Sequence, residues 1–313
     1  ALRESLAGYL ARTRGVLADP DDVVVTAGYV QALSLAATVL GGGPVAMEDP
    51  GLPFHRSVVS RAGRTVVPLP VDADGARPAD LVATRADLAV VTPAHQYPTG
   101  VPLAPARRRE LLAWADDRHV VLEDDYDGEF RYDRQPVGAL QGGAPDRVVY
   151  VGSAAKTLAP GLRLAWMVLP RRLRDDVVDA KLHSTHATEA LGQLSLAELI
   201  DSHAYDRHVR ATRLRYRRRS DQLAALLERR AGRNARARAP RSIPAGLQVV
   251  VRVPDEDEVL ARAERAGVGL TGLRQHHHGP GGRGAEHGVV VGFARPRDAA
   301  YPRALAALGR VLP

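Results

Sequence analysis

The sequence contains no cysteine among its 313 residues. That excludes disulfides, thiolate metal sites and a cysteine nucleophile, and it is compatible with a reducing cytoplasm. Aromatic residues make up only 4% of the chain, so the core is expected to be Leu, Val and Ala. No apolar run approaches the ~20 residues of a membrane-spanning helix, and Ala1-Leu2-Arg3-Glu4-Ser5 does not read as a signal peptide. The chain instead opens inside what reads as a helix, which predicts further residues upstream. Lysine is scarcer still. There are two, Lys156 and Lys181, against 41 arginines.

What is present is ordinary for a globular protein of two lobes: 45% apolar and 25% charged residues. The formal charge of +7 raises the question of a polyanion partner. The arginines are spread along the chain, however, apart from one dense cluster from Arg207 to Arg219. That cluster runs around a predicted helix with no aromatic platform, so it reads as a solvated connecting helix rather than a nucleic-acid surface.

The pattern along the chain alternates short apolar strands with helices. An amphipathic helix is expected over Leu2 to Arg14, with Leu2, Leu6, Tyr9 and Leu10 on one face. Strands are expected at 23–26, 45–48, 65–69, 87–92, 119–122, 147–151 and 165–169, with helices between them at 32–40, 54–62 and 104–117. This predicts an α/β layer with a mostly parallel sheet. After Leu169-Pro170 the pattern is helical, at 173–182 and then over 187–231, with one continuous helix from Tyr205 through Leu227. Strands at 246–253 and 289–293 and helices at 257–266 and 299–311 complete a small α+β lobe. The expected division is a large domain over 17–200 and a small one over 201–313, with the N-terminal helix 1–16 packing near the latter. His276-His277-His278, in a polar loop running to Gly284, reads as mobile. Consecutive loop histidines have no second ligand at helical or strand spacing, so no metal site is expected there.

The chemistry gathers where strands end. Lys156 stands three residues after Ser153 and seven before Arg163, in a loop following the strand 147–151. An arginine can neither lose its proton nor form a Schiff base, whereas a lysine amine can do both. Ser153, Arg163 and the backbone N–H groups around them can hold a phosphate. A second anion-suited turn, Gly28-Tyr29, opens the helix after the first strand. A reactive amine beside a phosphate-holding loop suggests pyridoxal phosphate, whose aldehyde needs a lysine. Glu123-Asp124-Asp125 at another strand end supplies a carboxylate for the pyridine nitrogen, and Tyr126 a phenol for the ring oxygen.

Three stretches resemble the aminotransferase-like domain of MocR-type transcription regulators, a branch of the fold-type-I pyridoxal-phosphate aminotransferases. They are Thr92-Pro93-Ala94-His95-Gln96-Tyr97-Pro98-Thr99-Gly100, Glu123 through Tyr132, and Lys156-Thr157-Leu158-Ala159-Pro160-Gly161-Leu162-Arg163-Leu164. Tyr205-Asp206-Arg207-His208-Val209-Arg210 fits the same subfamily, and the resemblance runs over almost the full length. It implies a fold-type-I large domain and a smaller α+β C-terminal domain, in a cytoplasmic homodimer whose sites lie near the subunit boundary. It implies Lys156 as the imine partner, Asp124 at the pyridine nitrogen and Tyr126 at the phenolic oxygen. Ser153, Arg163 and Gly28-Tyr29 would hold the phosphate, and Tyr97 would stand where most aminotransferases have asparagine.

The sequence departs from that pattern in three places. Leu52 replaces an aromatic that stacks on the cofactor ring, so stacking is weaker or comes from Phe54. Ala155 replaces a hydroxyl before the lysine. The arginine that grips a substrate carboxylate has no obvious counterpart near Glu286 to Phe293, with Arg295 just beyond. The resemblance thus implies a cofactor-binding effector domain taking an amino acid or amine, with DNA bound through an upstream domain absent from this chain. A free-standing aminotransferase acting between an amino acid and a 2-oxo acid remains the alternative.

Overall fold

Short runs of β-branched residues form the strands of a computed structural model, which describes residues 1–132, 137–231, 245–279 and 287–313. The large sheet contains β1 (Val23–Thr26), β2 (Val45–Asp49), β3 (Val66–Asp72), β4 (Gly75–Ala76), β5 (Leu88–Val91), β6 (Val120–Asp124), β7 (Val148–Ser153) and β8 (Ala165–Val168). Their order is β1-β8-β7-β6-β5-β2-β3-β4. Strands β3, β2, β5, β6 and β7 are mutually parallel. Strand β8 is antiparallel to both β7 and β1, so β1 points the same way as the parallel set. The carboxyl ends of six strands therefore open at one edge. The chain winds outward from β2 to β3 and in the other direction from β5 to β6, which places a crevice beside the β2–β5 boundary.

Both faces of this sheet are covered, which is why its strands are continuously apolar. On one face Leu33, Leu35, Met47, Val90, Leu122, Val149 and Met167 join Val177 in a single cluster. On the other, Leu2, Leu6, Tyr9 and Leu10 of the N-terminal helix (Leu2–Arg14) pack with Val23, Val25, Tyr150 and Trp166. The same helix touches Tyr205 at the start of the long helix Ala204–Ala231. Each fully buried side chain of this kind contributes roughly 1.5–3 kcal/mol. Aromatic residues are few but central: Trp166, Tyr150, Tyr205 and Phe130 are among the largest fully buried side chains, which corrects the expectation of a purely aliphatic core.

The smaller sheet is antiparallel, β10-β11-β9, made of β9 (Gln248–Arg252), β10 (Thr271–Gly272) and β11 (Gly288–Gly292). It packs with Leu223 and Leu227 of the long helix and Leu308 and Val311 of the last one. Strands β4 and β10 are two residues each, too short for periodicity to reveal. The expected helical stretch over 187–231 is two helices, Ala190–Asp201 and Ala204–Ala231. The break falls at Ser202 and His203, the latter in the left-handed region at φ 57°.

The arginine-rich part of the long helix is mostly exposed, with one exception. Arg219 is buried and donates to the carbonyls of Phe293 (3.3 Å) and Ala294 (2.8 Å) and to the Asp298 carboxylate (2.6 Å). It ties the linking helix to the end of the small sheet. Arg219→Ala is expected to destabilise the chain by about 2–3 kcal/mol, since two buried carbonyls lose their donor. Urea unfolding would measure this, and Arg218→Ala, on the exposed face, should lie within about 0.5 kcal/mol of wild type.

Candidate functional site

A cavity of about 380 Å³ opens at the crevice beside the β2–β5 boundary. Gly28, Tyr29, Tyr97, Asp124, Tyr126, Ser153, Lys156 and Arg163 all line it. They reach it from five separate parts of the chain because those parts are strand ends at one edge of the sheet. Asp124 is the last residue of β6 and Ser153 the last of β7. Lys156 follows in a turn and is exposed, as is Arg163.

At one end of the cavity Arg163, itself left-handed at φ 51°, donates to the Ala27 carbonyl at 2.8 Å. Its guanidinium lies directly over Gly28, where an added Cβ would sit 2.7 Å from Nη2. Gly28 has φ 96°, a conformation that side chains resist, so the close approach requires glycine twice over. Gly28→Ala is therefore expected to displace Arg163 and weaken binding of a phosphorylated ligand about tenfold, the equivalent of roughly 1.4 kcal/mol of strain. An absorbance titration with pyridoxal phosphate would read this. Retained affinity would place the phosphate elsewhere.

At the other end, Asp124 is enclosed. Burial pushes its carboxyl well above the usual range; the Tyr29 hydroxyl opposes that, and Asp125, Asp127 and Glu48 add to it. None of these is a cation. The Tyr29 hydroxyl is buried, acts on Asp124 and makes no hydrogen bond of standard geometry. The phenol of Tyr29 thus faces the carboxylate end of the cavity, while the backbone of the Gly28-Tyr29 turn lies at the arginine end. An enclosed acid with no cation among its neighbours fits a protonated pyridine at this end of the cavity.

Tyr126 accepts a hydrogen bond from Gln248 Nε2 (2.7 Å) on β9, and its oxygen lies 3.1 Å from His95 Nδ1. The same His95 nitrogen is 2.9 Å from Asp127 Oδ2. Tyr97 packs edge-on to Tyr126 at 6.2 Å, and its hydroxyl is 3.4 Å from His276 Nε2. Burial raises the Tyr97 phenol, opposed by the charge of Arg295, which places a cation near the cavity rim. The neighbouring acids are structural: Asp125 pairs with Arg14 at 2.6 Å, and Glu123 accepts from the N–H groups of Leu140 and Gln141 at 2.8 and 3.0 Å. The acid cluster is buried throughout, not a solvated turn.

Several lining residues carry no sequence signal. Phe54 is 57% exposed and outside the cavity wall, so it does not replace the missing aromatic at Leu52. His55 does line the cavity, with its ring 4.7 Å from that of Tyr29. Burial, then the charge of Lys156, lowers His55 to about 4. Glu48 is raised to about 7 by burial and accepts from Thr92 Oγ1 at 2.5 Å. Gln248 was legible in principle, as a lone amide in an apolar strand. His276 and His277 dock the small lobe: Arg56 donates to both of their carbonyls (2.9 and 3.1 Å), and His277 Nδ1 is 3.0 Å from Asp49. That half of the loop is pinned, while residues 280–286, where mobility was also expected, lie outside the described residues.

Residues 1–278 match the model of the family described as aminotransferase class I and II. The chain belongs to that family. Within it, the chain is closely related to the aminotransferase-like domains of MocR-type regulators. It is 33% identical over 301 residues to an uncharacterized HTH-type transcriptional regulator of Bacillus subtilis, YdeL, covering 94% of this chain and 63% of that protein. It is 35% identical over 302 residues to the "Probable rhizopine catabolism regulatory protein MocR" of Rhizobium meliloti, covering 94% of this chain and 60% of that one. The chain therefore spans less than two thirds of these relatives. Among solved structures it resembles LysN, an alpha-aminoadipate aminotransferase from Thermus thermophilus complexed with N-(5'-phosphopyridoxyl)-L-leucine. The TM-score is 0.85 at 25% identity, over 99% of this chain and 80% of that one. The fold is that of the fold-type-I aminotransferases, with an eight-stranded, mostly parallel sheet and a smaller antiparallel lobe. Among the described residues no helix is long and apolar enough to cross a membrane.

Proposed function

We propose that this aminotransferase-family chain is a pyridoxal-phosphate-binding effector domain of a cytoplasmic MocR-type regulator, whose DNA-binding part lies outside it. The observation that carries the reading is the convergence of Lys156, Asp124, Tyr126, Ser153 and Arg163 on one cavity. Kinship to HTH-type regulators, covering only part of their length, favours a regulator over an enzyme. Arg163, Ser153 and the Gly28 backbone would hold the phosphate, and Lys156 the aldehyde. Asp124 would hold a proton on the pyridine nitrogen, and Tyr126, kept in place by Gln248, would hydrogen-bond the ring oxygen. When bound, the cofactor would supply an electron sink for an amine or amino-acid ligand. Lys156 would also be the base that moves a proton at the ligand's α-carbon. Leu52 and Tyr97 line the same cavity and would help exclude water from it.

The alternative, a free-standing aminotransferase, draws support from Arg295, whose charge reaches Tyr97 and could meet a substrate carboxylate. Single-turnover spectra of the loaded chain with a panel of amino acids separate the two. A regulator is expected to change its spectrum with one ligand class and release no 2-oxo acid, whereas repeated release would establish the enzyme. A homodimer is proposed on apolar side chains left exposed, Leu162 next to the cavity-lining Arg163 and Leu191 and Leu194 in the helix Ala190–Asp201, at 41, 79 and 57%. Sedimentation at micromolar concentration would reveal a monomer if that reading fails.

A further inference from the structure

The loop that leaves the candidate site at Asp124 turns away and lines a second cavity, of about 350 Å³, between the N-terminal helix and the long helix Ala204–Ala231. We propose that this second cavity is a binding site for a small dianion bearing carboxylate or phosphate groups. Its charged wall consists of Arg14, Arg131, Arg210 and Arg213 against Glu129 and Asp206. Two of these are already neutralised. Arg12 grips Asp206 with two bonds of 2.9 Å, and Arg14 grips Asp125 at 2.6 and 3.0 Å. Arg131 is engaged as well, which leaves Arg210 and Arg213 opposite a single carboxyl.

Arg210 and Arg213 stand three residues apart on one helix, hence on one face. Arg213 spends only its Nε, on the Glu129 carbonyl at 2.7 Å, which fixes the guanidinium plane and leaves its terminal N–H groups for another acceptor. Planar guanidinium forks suit the paired oxygens of a carboxylate or phosphate. Both arginines are exposed at the mouth of a cavity of about 350 Å³, a volume that suits a small molecule rather than a nucleic-acid backbone. Glu129 is buried here, and that burial, with the Asp125 charge added, raises its carboxyl to about 7 against the opposing charge of Arg14. The other titratable groups around it are Asp127, which also raises it, Tyr9, Tyr150 and Tyr205, with Asp206 across the cavity. As pH falls through 7 Glu129 takes up a proton and the wall gains net positive charge, so anion binding strengthens.

The proposal does not depend on the cofactor reading, and its test keeps the two apart. Isothermal titration of the pyridoxal-phosphate-treated chain with succinate and with inorganic phosphate, in a buffer free of other polyanions, should show saturable binding of one of them. Succinate alone would indicate a dicarboxylate, and phosphate alone a phosphate monoester. Binding should weaken about tenfold or more in Arg210→Ala/Arg213→Ala, with circular dichroism checking the fold. It should persist in Arg163→Ala, which affects only the first cavity. If the double variant fails to fold, Glu129→Gln provides the reading: tighter binding at pH 8, with the dependence between pH 6 and 8 flattened. Absence of binding by either anion up to the order of 10 mM, loss in Arg163→Ala but not in the double variant, or a Glu129→Gln profile identical to wild type would each overturn it.

Discussion

Lys156→Ala, treated with pyridoxal phosphate and then borohydride, is expected to release all of its cofactor on denaturation, whereas the wild-type chain keeps it covalently. Borohydride fixes an imine to its lysine as a stable secondary amine, so retention after unfolding reports the bond and not mere affinity. The composition makes this chain unusually suited to the experiment. Lys181 is the only other lysine, and Lys181→Ala should behave as wild type. Lys156→Arg should fail as completely as alanine, because a guanidinium keeps the charge but cannot form the imine. His55, lowered to about 4 by burial and then by the charge of Lys156, stands near this amine as a neutral ring. The equilibrium affinity of Lys156→Ala should fall on the order of a hundredfold, the share that a well-oriented covalent link adds to the phosphate and pyridine contacts. If wild type shows only the absorbance of free cofactor, or if Lys156→Ala retains the reduced adduct, the cofactor reading is wrong.

The strand ends were legible because each is an apolar run closed by polar residues, as in Val120-Val121-Leu122 before Glu123-Asp124 and Val148-Val149-Tyr150-Val151 before Ser153. The parallel sheet follows from such runs alternating with helices, and the crevice follows from the sheet. What the sequence did not disclose depends on side-chain packing between distant segments. The Gly28-Tyr29 turn was readable as an anion site from its backbone, but not that the Tyr29 ring lies along His55 and its hydroxyl reaches Asp124. Phe54 looked like the substitute for a missing aromatic, but in the helix Pro53–Arg61 it points to solvent while its neighbour His55 turns inward. One helical position is a rotation of 100°, and no single-sequence pattern fixes that phase in so short a helix. Arg213 and Arg219 look alike in the sequence but stand on different faces, one over the second cavity and the other buried against Asp298.

Asp124→Asn should change sign between the free and the loaded chain. In the free chain the Asp124 carboxyl is raised by burial and by neighbouring acids, so folding takes up a proton there wherever the unfolded carboxyl would be ionised. The linkage then runs one way: stability is greatest below the unfolded value near 4 and falls as pH rises toward the folded value. At pH 8 the free wild-type chain thus carries the cost of an enclosed acid, and Asp124→Asn, which cannot ionise, should be the more stable by roughly 1–3 kcal/mol. The advantage should shrink as pH falls and vanish only below the unfolded value near 4, where the wild-type carboxyl is protonated in both states. With cofactor bound the order reverses, because a protonated pyridine supplies the cation that Asp124 otherwise lacks, and asparagine cannot pair with it. The variant should then bind pyridoxal phosphate about ten- to a hundredfold more weakly, the usual penalty for losing one partner of an enclosed charged hydrogen bond. Thermal unfolding of both chains, with and without cofactor, at pH 5 and pH 8 gives all four comparisons. A destabilised Asp124→Asn in the free chain at pH 8 would mean that the carboxylate already has a cationic partner, and an unchanged cofactor affinity would remove Asp124 from the ring nitrogen.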